Sequence, residues 1–189
     1  MAGPDCGVHW LRQVHGRSVV TVTGASRGGA GPGDALVCAE PGEALCVLVA
    51  DCAPVVLASP EGVVGAVHAG WRGLAAGVVG AAAEAMAALG ATDLEGAIGP
   101  CIHPCCYAFG AGDLDGLATA LDPSVRGRTA QGEPALDLPA AVGVALARAG
   151  IRRVPGPDRC TGCAGGLFSH RARRDVARQA LVAWRSPVP

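Results

Sequence analysis

His15, Cys52 and His68 are the side chains whose types could build a reactive centre. Imidazole nitrogen and thiolate sulfur suit zinc, and three protein ligands with an open fourth position form the arrangement of a catalytic zinc site. The same Cys52 and His68 also fit a metal-free thiol hydrolase, with the cysteine as nucleophile and the histidine as base. A plainer reading makes Cys52 a small buried hydrophobe and each histidine a hydrogen-bonded group; His9, His103 and His170 read as surface groups. Cys160-Thr161-Gly162-Cys163 has the spacing of half a zinc knuckle, with Cys101, Cys105 or Cys106 to complete it; a redox dithiol and ordinary loop cysteines are the other readings. Arg171, Arg173, Arg174 and Arg178 could hold an anion through forked donors, or form a solvated charged edge.

The stretch from Leu48 to Gly73 has to position the central pair. Two apolar runs, Val55 to Ala58 and Val63 to Val67, flank Ser59-Pro60-Glu61-Gly62, which reads as a β-hairpin. With Ser59 paired to Gly62, residues whose numbers sum to about 121 lie opposite each other, bringing Cys52 and His68 together at the open end, roughly 5 Å apart at Cβ. A slip of one residue would turn one of them to the other face. Gly70-Trp71-Arg72-Gly73 follows and a helical pattern begins, so the pair sits beside a helix start, where backbone N-H groups can face an anion.

Composition narrows the chemistry. The 189 residues are half apolar, with few aromatics and many Gly and Ala, which predicts close packing through small side chains. We read residues 1–189 as one domain. A net charge of -1 argues against a nucleic-acid binder. There is no Lys and no Asn, which removes Schiff-base chemistry, a P-loop lysine and a Cys-His-Asn triad. The N-terminus has no apolar core of signal-peptide length, and no apolar run suffices for a bilayer crossing, so a cytoplasmic protein without membrane partners is expected. Nine cysteines without secretory context favour thiols and metal ligands over disulfides.

The remaining pattern predicts an α/β fold, a mixed sheet with packed helices and no internal repeat. Val8 to Val14 leads to Gln13-Val14-His15-Gly16, with His15 expected at a strand start; Ser18 to Thr23, Asp34 to Cys38, Leu45 to Ala50, Ala97 to Ile102 with a break at Pro100, Ile151 to Val154 and Gln179 to Trp184 read as strands. Gly24 to Gly33, Asp122 to Pro134 and Gly156 to Gly166 read as loops. Leu74 to Leu89 reads as one helix stopped by Gly90, with Gly77 and Gly80 implying that another backbone crosses it closely. Asp113 to Leu121 is a short helix, and Asp137 caps another from Leu138 to Arg148.

Several motifs occur together in one order: Gln13-Val14-His15-Gly16, Ala50-Asp51-Cys52-Ala53-Pro54, Val67-His68-Ala69-Gly70-Trp71-Arg72-Gly73, Ile98-Gly99-Pro100-Cys101-Ile102, and Arg159-Cys160-Thr161 with Phe168-Ser169-His170-Arg171. From about Trp10 to its end, the chain resembles the laccase-domain family, once called polyphenol or multicopper oxidase and now associated with purine nucleoside phosphorylase and adenosine deaminase activity. The resemblance implies an α/β fold akin to that of cysteine-histidine hydrolases, and a zinc ion held by His15, Cys52 and His68. It implies phosphorolysis of adenosine, inosine or guanosine to the base and ribose 1-phosphate, with some adenosine deamination. For deamination, zinc supplies hydroxide at neutral pH and Asp51 would move the proton. For phosphorolysis, Arg72 and Arg171 would hold phosphate. Copper fits less well, because copper oxidases of that kind need several centres and the ligands suffice for about one.

The chain also departs from the family pattern. It begins after an N-terminal segment with a Thr-Arg-Gly-Gly type motif, so part of the substrate wall is expected to be missing. His170 stands where a tyrosine is usual, and Ala172 interrupts the paired arginines, which ranks Arg171 below Arg72 as a substrate contact. A metal-free Cys-His thiol hydrolase and a non-catalytic shortened homologue are the rival expectations.

Overall fold

The computed structural model describes residues 7–24 and 28–186. The first half of the chain runs through β1 (Gly7–Arg12), β2 (Val19–Thr21), β3 (Gly28–Pro32), β4 (Ala35–Cys38), β5 (Glu43–Val49), β6 (Ala53–Ala58) and β7 (Val64–Ala69), then α1 (Trp71–Ala76) and α2 (Val78–Ala88). The second half contains β8 (Glu95–Ile98), α3 (Ala111–Ala120), β9 (Arg126–Arg128), β10 (Pro134–Leu136), α4 (Leu138–Arg148), β11 (Arg152–Arg153), α5 (His170–Arg173) and β12 (Gln179–Trp184). A six-stranded sheet in the order β11-β8-β6-β7-β4-β2 packs against a four-stranded sheet in the order β12-β5-β1-β3, and β9 and β10 form a separate ribbon. Parallel and antiparallel pairs mix in both larger sheets, as the α/β expectation required.

Strand β4 shows why the core has two parts. Its four residues are all buried, and their side chains alternate between faces. Ala35 and Val37 join the larger apolar cluster with Leu74, Val78, Ala82 and Met86 from α1 and α2. Leu36 and Cys38 join the smaller one with Leu11, Leu45, Val47 and Ala183 of the other sheet. The six-stranded sheet is therefore a middle layer, with helices on one face and the second sheet on the other.

Local chemistry sets the element ends. The Asp137 carboxylate accepts the Ala140 N-H at 2.9 Å and opens α4, with Pro in its first turn, as expected. Strand β12 covers the predicted residues Gln179–Trp184. The predicted Leu74 to Leu89 helix is instead two helices, because Gly77 takes a left-handed φ of 86° and its N-H caps α1 on Gly73 and Leu74 carbonyls. Nothing lies within 4 Å of the Cβ position at Gly77 or Gly80, so the close approach inferred there is absent. It occurs at Gly65 of β7, where an added Cβ would meet the Met86 sulfur of α2 at 3.1 Å.

Two expected loops contain strands. Gly28–Pro32 forms β3 at a sheet edge, parallel to β1, and Arg126–Arg128 forms β9 against β10. Both pair through backbone groups, which side-chain patterning does not report. Residues 25–27 of the first loop lie outside the described residues. The hairpin register also moves by one: Val55 faces Val67 and Pro54 faces His68, a sum of 122. Ser59 N-H bonds to the Val63 carbonyl at 3.0 Å, and Gly62, at φ 85°, supplies the left-handed position of a three-residue loop.

Candidate metal centre

Strand register delivers the first two residues. His68 lies near the end of β7 opposite Pro54, and Cys52 precedes β6 by one position, two residues from Pro54. A two-residue offset keeps Cys52 on the face that His68 occupies. His15 arrives from the turn after β1. Gln13 anchors that turn, its amide donating to the Leu48 carbonyl and accepting the Leu48 N-H, each at 2.8 Å, as a backbone partner would.

Asp34, which the sequence reading passed over, organises the rest. It is fully buried immediately before β4, and its carboxylate accepts the N-H groups of Val14 at 3.2 Å, His15 at 2.9 Å and Gly16 at 2.7 Å. Successive amides converging on one anion form a nest. They hold His15 at a φ of 58°, a left-handed conformation uncommon for a side-chain-bearing residue. The same carboxylate accepts from His68 Nδ1 at 2.9 Å, and the Asp34 carbonyl accepts the His68 N-H at 2.8 Å. Burial alone would raise the Asp34 pKa, but the bonds from His68, Gly16 and His15 outweigh it and hold the group below its ordinary value. Burial dominates at His68 and lowers its pKa despite the Asp34 bond, so the ring is neutral with its proton on Nδ1. Its Nε2 lone pair is left for a ligand.

One ligand atom from each of His15, Cys52 and His68 lies within 4.8 Å of the other two. The His15 and His68 rings meet edge to face, with centroids 4.8 Å apart. Cys52 Sγ is 3.9 Å from His15 Nε2, against about 3.6 Å across a tetrahedral zinc with one sulfur and one nitrogen ligand. Gly70 keeps the space open: an added Cβ would sit 3.0 Å from Cys52 Sγ and 3.1 Å from His15 Cδ2. The donor set, the oriented Nε2 and the cleared space all fit a zinc ion.

A cavity of about 320 Å³ opens on this triangle, lined by Gln13, His15, Asp51, Cys52, His68 and Tyr107 together with His170, Arg171 and Arg178. That volume lies at the lower end of small-molecule sites. Arg171 places its guanidinium 5.0 Å from the Tyr107 ring centre. Arg72 instead stacks on its neighbour Trp71 at 4.5 Å and is not in the cavity wall, which reverses the expected order of the two arginines. Helix α1 begins just after Gly70, and the cations in the cavity wall are Arg171 and Arg178.

Asp51 lies beside the centre with its carboxylate engaged elsewhere. Oδ1 accepts from Thr161 Oγ1 at 2.7 Å and Ser169 Oγ at 2.6 Å, and Oδ2 accepts the Arg171 N-H at 2.6 Å. These bonds hold Asp51 at a φ of 98° and tie the start of α5, with Arg171, to the segment just before β6 that carries Cys52. Burial, with Asp51 and Asp34 adding to it, pushes the Cys52 thiol up to about 12. A free thiol there is protonated at neutral pH, which counts against an unaided nucleophile.

Of the other histidines, His170 belongs to the cavity wall. His9, expected at the surface, is fully buried and bonded to Glu43 Oε2 at 2.6 Å; its position in β1 faces inward. His103 is partly buried, 3.5 Å from Asp158. No described helix is long and apolar enough to cross a membrane.

Comparison with known proteins gives consistent matches. The family model described as multi-copper polyphenol oxidoreductase laccase matches residues 2–186. The Streptomyces griseus protein named purine nucleoside phosphorylase ORF3 is 43% identical over 182 residues, covering 94% of this chain and 74% of that protein. The Mycobacterium tuberculosis protein named purine nucleoside phosphorylase Rv2149c is 38% identical over 184 residues, 96% of this chain and 73% of that one. The crystal structure of YlmD from Geobacillus stearothermophilus superimposes with a TM-score of 0.84 at 34% identity, over 95% of this chain and 74% of its own.

Proposed function

Since the chain belongs to the multi-copper polyphenol oxidoreductase laccase family, we propose that it is a zinc-dependent purine nucleoside phosphorylase acting on adenosine, inosine or guanosine. The observation that carries the proposal is the convergence of His15, Cys52 and His68 on one wall of a cavity whose other wall presents Arg171 and Arg178. Zinc, held by those three residues, would supply Lewis acidity to a polar group of the substrate. Copper is disfavoured because a single triangle of this kind does not make a multicopper centre.

The chain's own groups account for the rest. In phosphorolysis the glycosidic C-N bond breaks, its electron pair leaves with the base, and a phosphate oxygen bonds to the anomeric carbon. Phosphate has to be held beside the sugar and screened, and the Arg171 guanidinium offers forked donors for it. Tyr107 fixes that guanidinium by stacking, and Asp51 fixes its backbone. Burial pushes the Tyr107 hydroxyl up to about 12, so it stays protonated as a hydrogen-bond donor in the cavity. Asp51, saturated with donors, suits an anchor better than a proton carrier, and Asp34 orients His68 and His15. Adenosine deamination would use the same centre.

A metal-free thiol hydrolase is less favoured, since the Cys52 pKa is pushed in the wrong direction for a nucleophile. The test is metal content together with inosine phosphorolysis in the wild type and in Cys52→Ala. Zinc at this centre and turnover should vanish together. Turnover surviving in the variant excludes the site, and an active, metal-free protein that alkylates at Cys52 favours the hydrolase.

A further inference from the structure

Cys105 and Cys106 lie in a short 3-10 turn, Pro104–Cys106, and Cys160 and Cys163 lie in the loop before α5. The four sulfurs all lie within 4.8 Å of one another, although the pairs are more than fifty residues apart in sequence. Cys105 Sγ is 3.8 Å from both Cys106 Sγ and Cys160 Sγ. A zinc ion with four sulfurs at about 2.3 Å sets the edges of its tetrahedron at about 3.8 Å, whereas a disulfide needs about 2.05 Å. Cys101, the other candidate for completing the knuckle, is buried in the apolar core and outside the cluster.

The surrounding backbone is arranged for a thiolate. His103 N-H points at Cys160 Sγ at 3.4 Å, and the Gly162 and Cys163 amides bond to the same sulfur. Amides of residues two and three places on, folded back onto the first sulfur of a Cys-x-x-Cys, are what a metal knuckle requires. Gly162 is required by the cluster itself, since an added Cβ would lie 2.6 Å from Cys106 Cβ. Arg173 clamps the same loop by donating to the Gly162 carbonyl at 2.9 Å and the Thr161 carbonyl at 3.2 Å.

We propose that Cys105, Cys106, Cys160 and Cys163 bind a second, structural zinc ion, distinct from the centre at His15, Cys52 and His68. Its role follows from what the loop supports. Thr161, between the knuckle cysteines, donates to Asp51, and Tyr107 follows Cys106 directly. The ion therefore staples two wall segments of the cavity, the one carrying Tyr107 and the one leading to Arg171. This set of four soft sulfurs leaves no open position, which suits a closed structural site rather than a catalytic one.

The experiment counts zinc per chain by plasma mass spectrometry in the full chain, its His15→Ala variant and its Cys106→Ser/Cys163→Ser variant, with cobalt(II) substitution as a second readout. His15→Ala should retain one zinc and give an intense four-thiolate-to-cobalt charge-transfer band; the double cysteine variant should also retain one zinc, at His15, Cys52 and His68, and lose that intense band. Should the double variant fail to fold, Cys163→Ser, at an exposed position, is expected to lower zinc affinity against a competing chelator by about tenfold or more. Zinc absent from His15→Ala, with no charge-transfer band, overturns the proposal. So does a native mass two hydrogens light from a disulfide within the cluster. Zinc retained only at the cysteines, with no inosine turnover, supports this site while removing the proposed activity.

Discussion

Gly70→Ala tests the metal centre without removing a ligand. Gly70 has φ -79° and ψ 161°, extended values that alanine adopts freely, so the backbone should not object. The cost falls on the ligands. The new Cβ would lie 3.0 Å from Cys52 Sγ and 3.1 Å from His15 Cδ2, while ordinary contact begins at 3.4 Å. The sulfur must therefore retreat by about 0.4 Å and the ring by about 0.3 Å, and a metal site tolerates about 0.2 Å. A displacement of that size should lower zinc affinity by about 10- to 100-fold, or about 1.4–2.7 kcal/mol, with a comparable fall in kcat/KM for inosine. Metal-free stability should change by less than about 1 kcal/mol. Competition against a chromogenic chelator measures the first quantity and urea unfolding of the apoprotein the second. Wild-type zinc affinity in the variant, or a large loss of apoprotein stability, would refute the reasoning, because the crowding would then be absorbed outside the centre.

Asp34→Asn should cost about 2–3 kcal/mol in urea unfolding and weaken zinc binding about 10- to 100-fold, because an amide cannot accept from His15, Gly16 and His68 as a carboxylate does. Arg171→Met should raise the KM for phosphate about tenfold or more, while Arg72→Met leaves it within about twofold; equal effects would show that Arg72 reaches the cavity after all. Glu61 accepts from Thr92 Oγ1 at 2.5 Å and from its N-H at 3.0 Å, which depresses the carboxyl from 4.5 to about 2. A depressed folded pKa gives stability that is complete above pH 4.5 and disappears as pH falls through about 2, so the difference in urea midpoint between wild type and Glu61→Gln should shrink across that window. A difference that persists unchanged at pH 2 would contradict the assignment.

The candidate ligands could be named from the sequence and their supports could not, for a physical reason. Metal chemistry restricts a position to a few residue types, so His15, Cys52 and His68 could be singled out as candidates by residue type together with the motifs that carry them. Asp34 does the same centre's second task with a common residue whose meaning arises only when a turn, a strand end and a remote histidine meet on its carboxylate. Helix and strand positions followed the same division. The Asp137 cap and β12 were readable because local chemistry determines them, whereas Gly62 and Gly77 shifted a register and split a helix through left-handed conformations that a glycine permits but does not announce. The exchange between Arg72 and Arg171 is the clearest case. Arg72 sits four residues from a ligand and still turns to its own Trp71, while Arg171 is brought to the cavity by an Asp51 bond spanning 120 residues. Nearness along the chain to a metal ligand is thus weak evidence of a substrate contact when the strand end that carries the ligand also dictates which way its neighbours face. What completes this cavity comes from the opposite end of the chain, through Asp51 and the cysteine loop. Loosening that loop should therefore affect phosphate binding before it affects the zinc triangle.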